Sequence, residues 1–113
     1  WHDQLLDMKP GDVVVLFDIR RYQTDLVHLG EILVERRARI VLITDPWLSP
    51  LARSAHVVLP CVVEAGRTWD SSVPLLALAE ALIDRVSRNQ WSHAQTRMRA
   101  LEDIHWNKTP QQE

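Results

Sequence analysis

The chain has 113 residues, enough for about one domain. Its 46% hydrophobic and 25% charged residues match a soluble globular protein, which excludes disorder as the main state. The formal net charge of −2 argues against a general nucleic-acid binder.

No apolar run approaches the roughly 18 residues of a membrane helix. The opening Trp1-His2-Asp3-Gln4 does not read as a signal peptide. The single Cys61 excludes an internal disulfide and reads as a small buried hydrophobe. These features point to a reducing compartment, with the cytoplasm as the expected location.

Met8-Lys9-Pro10-Gly11-Asp12 reads as a turn. Val13-Val14-Val15-Leu16-Phe17 follows as a continuous apolar, β-branched run, the pattern of a strand buried on both faces. Residues 18–23 form a polar loop. Thr24 is placed to cap a helix with Asp25 in its first turn, ending near Arg36-Arg37. Arg39-Ile40-Val41-Leu42-Ile43-Thr44 is a second strand, stopped by Asp45-Pro46. Ser49 caps a short helix with Pro50 at its first position. His56-Val57-Val58-Leu59-Pro60 is a third strand. A loop follows over 61–69, with a turn signal at Ala65-Gly66. Asp70-Ser71-Ser72 caps a helix over 72–88 that is apolar on most sides, and a second helix covers 91–106. The tail 107–113 reads as frayed. Apolar strands alternating with helices predict an α/β fold with a parallel sheet, here a single partial domain over 1–113 with its core at 8–88.

Ligands of open parallel sheets bind beyond the carboxyl ends of the strands. Three loops qualify: 18–24, 44–49 and 61–72. The first and third lead into helix N-termini, which attract anions. All but two of the 13 basic residues are Arg, whose planar fork suits phosphate or carboxylate. Arg20, Arg21, Gln23 and Thr24 are candidate donors on the first loop, and Arg67, Thr68, Ser71 and Ser72 on the third. Each hydroxyl among them is equally a plain helix cap. Glu64 is a candidate general base or an acceptor for a sugar hydroxyl, and equally a solvated carboxylate. Trp69 is the one indole within the two loops that lead into helix N-termini.

Other chemistries fail on composition. Asp18 and Asp45 end adjacent strands as in a phosphoryl-accepting receiver, but no lysine lies between Lys9 and Lys108. That gap also removes Schiff-base chemistry from the core. Neither Gly-rich nucleotide fingerprint is present, and the five histidines show no ligand spacing, so neither cofactor nor metal is expected.

The loops in this order resemble the second half of a sugar isomerase (SIS) domain, and more narrowly the sugar-sensing domain of RpiR-type bacterial transcriptional regulators. The resemblance rests on Pro10-Gly11-Asp12-Val13-Val14-Val15, Phe17-Asp18-Ile19-Arg20-Arg21-Tyr22, Ile43-Thr44-Asp45-Pro46-Trp47-Leu48-Ser49-Pro50-Leu51-Ala52, His56-Val57-Val58-Leu59-Pro60, and the run from Asp70-Ser71-Ser72 to Ala79-Glu80-Ala81-Leu82. It implies a three-layer α/β/α fold with a five-stranded parallel sheet, of which this chain matches the last three strands, as a fragment or truncated form would. It further implies binding of phosphorylated sugars, sugar acids or amino sugars at the strand ends, dimers or tetramers, and DNA contact through a separate helix-turn-helix domain. The family's Ser-x-Ser-Gly-x-Thr loop aligns with Asp18 to Thr24, keeping only Thr24, with Arg20 and Arg21 standing where hydroxyls are usual. In the family's sheet order the strand at 13–17 pairs with the first strand, which this chain does not match, so here it is expected to lie at an open edge and favour self-association, with the helix at 72–88 as a further contact.

The expected function is a non-catalytic sugar-derivative sensor and oligomerisation domain of a transcriptional regulator. Its site residues would be Arg20, Arg21, Gln23, Thr24, Glu64, Ser71 and Ser72. The alternatives are a structural dimerisation domain with a degenerate site, and an aldose–ketose phosphosugar isomerase with Glu64 as base.

Overall fold

The computed structural model describes residues 2–64, 66 and 68–106. The elements in chain order are α1 (His2–Leu6), β1 (Val13–Asp18), α2 (Thr24–Glu35), β2 (Arg39–Thr44), a 3-10 helix (Pro50–Arg53), β3 (Val57–Pro60) and α3 (Val73–Trp106). The strands form one parallel sheet in the order β1-β2-β3. Val13 to Asp18 pair with Arg39 to Thr44, and Val41 to Thr44 pair with Val57 to Pro60. The α/β class and the parallel sheet expected from the sequence are therefore present.

The central strand β2 is the most deeply buried, with Ile40, Leu42, Ile43 and Thr44 fully enclosed. β1 is an edge. Its apolar run suggested burial on both faces, and the structure corrects this. Leu16 and Asp18 are buried, whereas Val13, Val15 and Phe17 are 61%, 42% and 44% exposed. Side chains alternate between faces along a strand, and here only one face is covered.

The covered face carries the core: Leu16, Ile40 and Leu42 from the sheet, Leu29 and Leu33 from α2, with Ala38 and Leu51. Leu5 and Met8 pack against its margin, and α1 is tied down where Arg36 Nη1 donates to the Leu5 carbonyl at 2.7 Å. Gly30 lets α2 approach the 3-10 helix closely. A Cβ there would overlap Leu51 Cδ1.

The helix caps differ in part from expectation. Gln23, not Thr24, is the N-cap of α2, in extended conformation and without a side-chain cap bond. Its backbone N–H instead donates to Asp18 Oδ1 at 3.3 Å. At the other end Arg37 is left-handed (φ 59°). Ala38 N donates to Leu33 O and Arg37 N to Val34 O, which closes a Schellman motif with arginine where glycine is usual. Ser49 caps the 3-10 helix as expected, its Oγ accepting from Leu51 N at 3.1 Å. His56 stands just before β3. Its Nδ1 accepts from Ile40 N at 3.1 Å while its own N donates to Ile40 O, so the ring takes the place of a strand carbonyl.

α3 runs unbroken from Val73 to Trp106, which corrects the expected division into helices over 72–88 and 91–106. Asn89-Gln90 is polar, but neither residue removes a backbone hydrogen bond, so the helix continues. Its bond at Val73 N goes to Ser71 Oγ, at 3.2 Å. The chain divides into two compact units, Trp1–Leu75 with the sheet and Leu76–Glu113. Within the second unit Leu76, Ile83, Val86, Trp91, Met98 and Ile104 are exposed. Cys61, expected to be buried, is only partly so. Arg67 and the tail 107–113 lie outside the described residues. Among the described residues no helix is long and apolar enough to cross a membrane.

Candidate functional site

Parallel pairing brings the carboxyl ends of β1, β2 and β3 to one edge of the sheet, with their loops above it. Two buried carboxylates organise these loops. Asp18 ends β1, and its Oδ2 accepts from the buried Ser49 hydroxyl of the loop after β2. Ser49 N in turn donates to Thr44 Oγ1 at 3.1 Å. Asp45 follows β2 and reaches back to the loop after β1. Its Oδ2 accepts from Arg20 N at 2.6 Å, and its Oδ1 from Tyr22 Oη at 2.6 Å and Trp47 N at 3.1 Å.

These bonds set the electrostatics. Burial alone would raise the Asp45 carboxyl, but the donors Tyr22 Oη, Arg20 N and Trp47 N outweigh it and hold the group below its ordinary value. The same hydrogen bond to Asp45, with desolvation, pushes the Tyr22 phenol up to about 12.

Asp45 also fixes Arg20 in a left-handed conformation (φ 58°), sparsely populated for any residue with a Cβ. This turn sends the Arg20 side chain over the Trp47 ring, 4.8 Å from its centroid. Its Nη2 donates at 2.9 Å to both Glu64 Oε1 and Asp70 Oδ1. Desolvation pulls the Arg20 guanidinium down, and Asp70 and Glu64 more than offset it, so it is raised. Glu64 and Asp70 face each other across an antiparallel bridge closed around Gly66, which is left-handed (φ 85°). Arg20, Glu64, Gly66, Thr68, Trp69 and Asp70 line a cleft of about 470 Å³.

The structure thus joins two of the residues expected at the site, Arg20 and Glu64. Arg21, Gln23 and Thr24 are exposed and lie outside the lining of this cleft, as do Ser71 and Ser72. The sequence marks Asp70 only as a helix cap. It lies 50 residues from Arg20 in the chain, and no local pattern pairs the two. The turn residue Gly66, between Glu64 and Asp70, is the available signal. Among the described residues no group of three His, Cys, Asp or Glu side chains is arranged to hold a metal ion.

The sequence profile of the SIS domain matches residues 1–85. The chain belongs to the SIS domain family. Its fold resembles the crystal structure of the sugar isomerase domain of the RpiR transcription factor from Sphaerobacter thermophilus, with a TM-score of 0.69 at 24% identity. The match covers 90% of this SIS chain and 57% of that one, so the present chain spans little over half the length of its structural relative. No curated protein matches the chain significantly.

Proposed function

We propose that the chain is the sugar-derivative-sensing and oligomerisation part of an RpiR-type transcriptional regulator, non-catalytic and cytoplasmic. The observation that carries this reading is the Arg20–Glu64–Asp70 cleft at the strand ends of an SIS chain with an RpiR-like fold. Its volume and charged, indole-bearing wall suit a polar ligand of monosaccharide size. The sequence suggests a phosphorylated sugar or sugar acid, and such an anion has to win Arg20 from Glu64 and Asp70. DNA contact belongs to a helix-turn-helix domain outside these residues, and no cofactor takes part.

The same geometry weighs against an isomerase. A general base has to reach the substrate proton, and Glu64 Oε1 is engaged by Arg20. Oligomerisation is supported by the exposed Val13, Val15 and Phe17 of edge strand β1. A sharply monomeric sedimentation profile at tens of micromolar would defeat that part. One observation favours a second reading, a dimerisation domain with a degenerate site: Arg20 already spends its Nη2 on two internal carboxylates.

A thermal-shift panel separates the two, using phosphosugars, sugar acids, amino sugars and inorganic phosphate beside the plain sugars. A ligand at about 100 times its dissociation constant stabilises by roughly 2.7 kcal/mol. At about 4–8 °C per kcal/mol that is a large rise in melting point. A selective shift lost in Arg20→Ala supports the sensor. No shift with any member contradicts it and leaves the dimerisation domain.

A further inference from the structure

Along α3, Leu76, Ile83, Trp91 and Met98 are spaced by seven, eight and seven residues. Ala79, Val86, Ala94 and Leu101 each follow one of these by three. Such spacings keep all eight on one side of a helix. From Leu76 to Met98 the pattern advances by two eleven-residue repeats, which holds the stripe in line along a nearly straight helix. The stripe lies wholly within the unit Leu76–Glu113. Its large side chains, Leu76, Ile83, Val86, Trp91, Met98 and Leu101, are 53–65% exposed. Ala94 is exposed and Ala79 partly so. At about 1.5 Å per residue the stripe runs about 38 Å, long enough to seat a second helix. Its half from Val86 onward lies beyond the residues 1–85 that match the SIS profile.

The stripe is its own complement. Turned end over end about the midpoint between Arg88 and Asn89, a second copy sets its Leu101 on Leu76 and its Met98 on Ala79. Its Ala94 then meets Ile83, and its Trp91 meets Val86. Each inner layer thus places a larger side chain against a smaller one, which fills the seam evenly. A parallel pair would stack Ala79 and Ala94 on themselves and Trp91 on Trp91. That leaves two thin layers and one overfilled layer. Charge agrees with the antiparallel choice. Beside the layers Glu80 faces Gln95, Leu82 faces Arg97, and Ser87 and Gln90 each face their own copies, so no like charges oppose. The Asp84 and Arg88 charges are paired within one helix at 3.0 Å.

We propose that α3 packs antiparallel against α3 of a second copy, centred between Arg88 and Asn89. This pairing rests on the oligomerisation proposed above and names a contact for it. The occupant is a second copy because the match of small against large is met within one sequence. A helix of another protein would leave that match without a cause.

Two measurements test the pairing on the full chain, both with Val15→Lys present to remove the β1 edge contact. Sedimentation at tens of micromolar is expected to show a dimer. Trp91→Glu puts a carboxylate into both central layers and is expected to weaken that dimer at least about a hundredfold. Trp91 is exposed in the single chain, and a retained thermal transition shows that the sheet still folds. The second measurement leaves the seam intact. Glu102→Cys carries a spin label, with Cys61→Ser so that one thiol remains. Electron–electron resonance is expected to place the two labels about 40 Å apart, at about 1.5 Å per residue.

Labels within about 20 Å would mean parallel helices and would overturn the proposal. A dimer unmoved by Trp91→Glu would overturn it as well. A Val15→Lys chain that is monomeric would remove the α3 contact and leave oligomerisation to the β1 edge. A native chain that is itself monomeric would sink the oligomerisation reading and this pairing together.

Discussion

The strand ends and the β1 edge treat their exposed chemistry in opposite ways. At the strand ends the sheet buries Asp18, Thr44, Asp45 and Ser49. Among the described residues no buried side-chain polar atom lacks a partner. Along β1 the sheet exposes Val13, Val15 and Phe17. The first region is satisfied by neighbours only 2–31 residues away in the chain, so the fold closes it without outside help. The second offers apolar surface and unpaired backbone groups, which a further polypeptide can satisfy. The strand ends close on themselves, whereas the β1 edge leaves apolar surface open.

The sharpest way to break the first half of that comparison is Asp45→Ala. It leaves Arg20 N, Trp47 N and the Tyr22 hydroxyl without their acceptor in a part-buried site. We expect a loss of about 3 kcal/mol or more by chemical denaturation. A loss under about 1 kcal/mol would mean water replaces the carboxylate freely. The acid limb sharpens the point. The Asp45 carboxyl is lower in the folded chain than its ordinary 3.8. Its stabilisation is therefore present above that value and fades as pH falls through the folded one. Asp45→Asn is expected to flatten that limb.

Gly30→Ala should cost about 1–3 kcal/mol, because the added methyl meets the fully buried Leu51 and one of them has to move. Arg37→Gly runs the other way. It relieves a left-handed arginine at the end of α2 and is expected to raise stability by up to about 1 kcal/mol. Val15→Lys addresses the second half of the comparison. It should leave stability within about 0.5 kcal/mol while lowering self-association in sedimentation. Association unchanged by a lysine at that edge would move the contact away from β1.

The strands were legible because each is an apolar run bounded by turn residues, and their limits agree to within one residue. The helices were less so. α1 is too short at five residues to show a period. The polar Asn89-Gln90 looked like a boundary, yet a helix ends where backbone bonding or geometry fails, and neither fails there. Thr24 looked like a cap because its hydroxyl suits the role, but Asp18 already takes the Gln23 N–H.

The site was half legible for a related reason. That the loops converge follows from parallel strands. That Arg20 would face carboxylates does not, since Glu64 lies 44 residues away. A donor-rich loop therefore read as an anion receptor, and only the geometry shows its charge already engaged.

All of this turns on Asp45 locking the loop that aims Arg20. Tyr22 reports on that lock, and it is the single tyrosine in the chain. Alkaline titration of tyrosinate absorbance, read by rapid mixing before unfolding, therefore follows this bond alone. The phenol is raised in the folded state, so stability should be complete below its ordinary 10.0 and decline as pH rises toward about 12. The account predicts a midpoint near 12 in the native chain, falling toward 10.0 in Asp45→Asn. A native midpoint at 10.0 would show that Asp45 does not hold Tyr22, and that the lock on the Arg20 loop is absent.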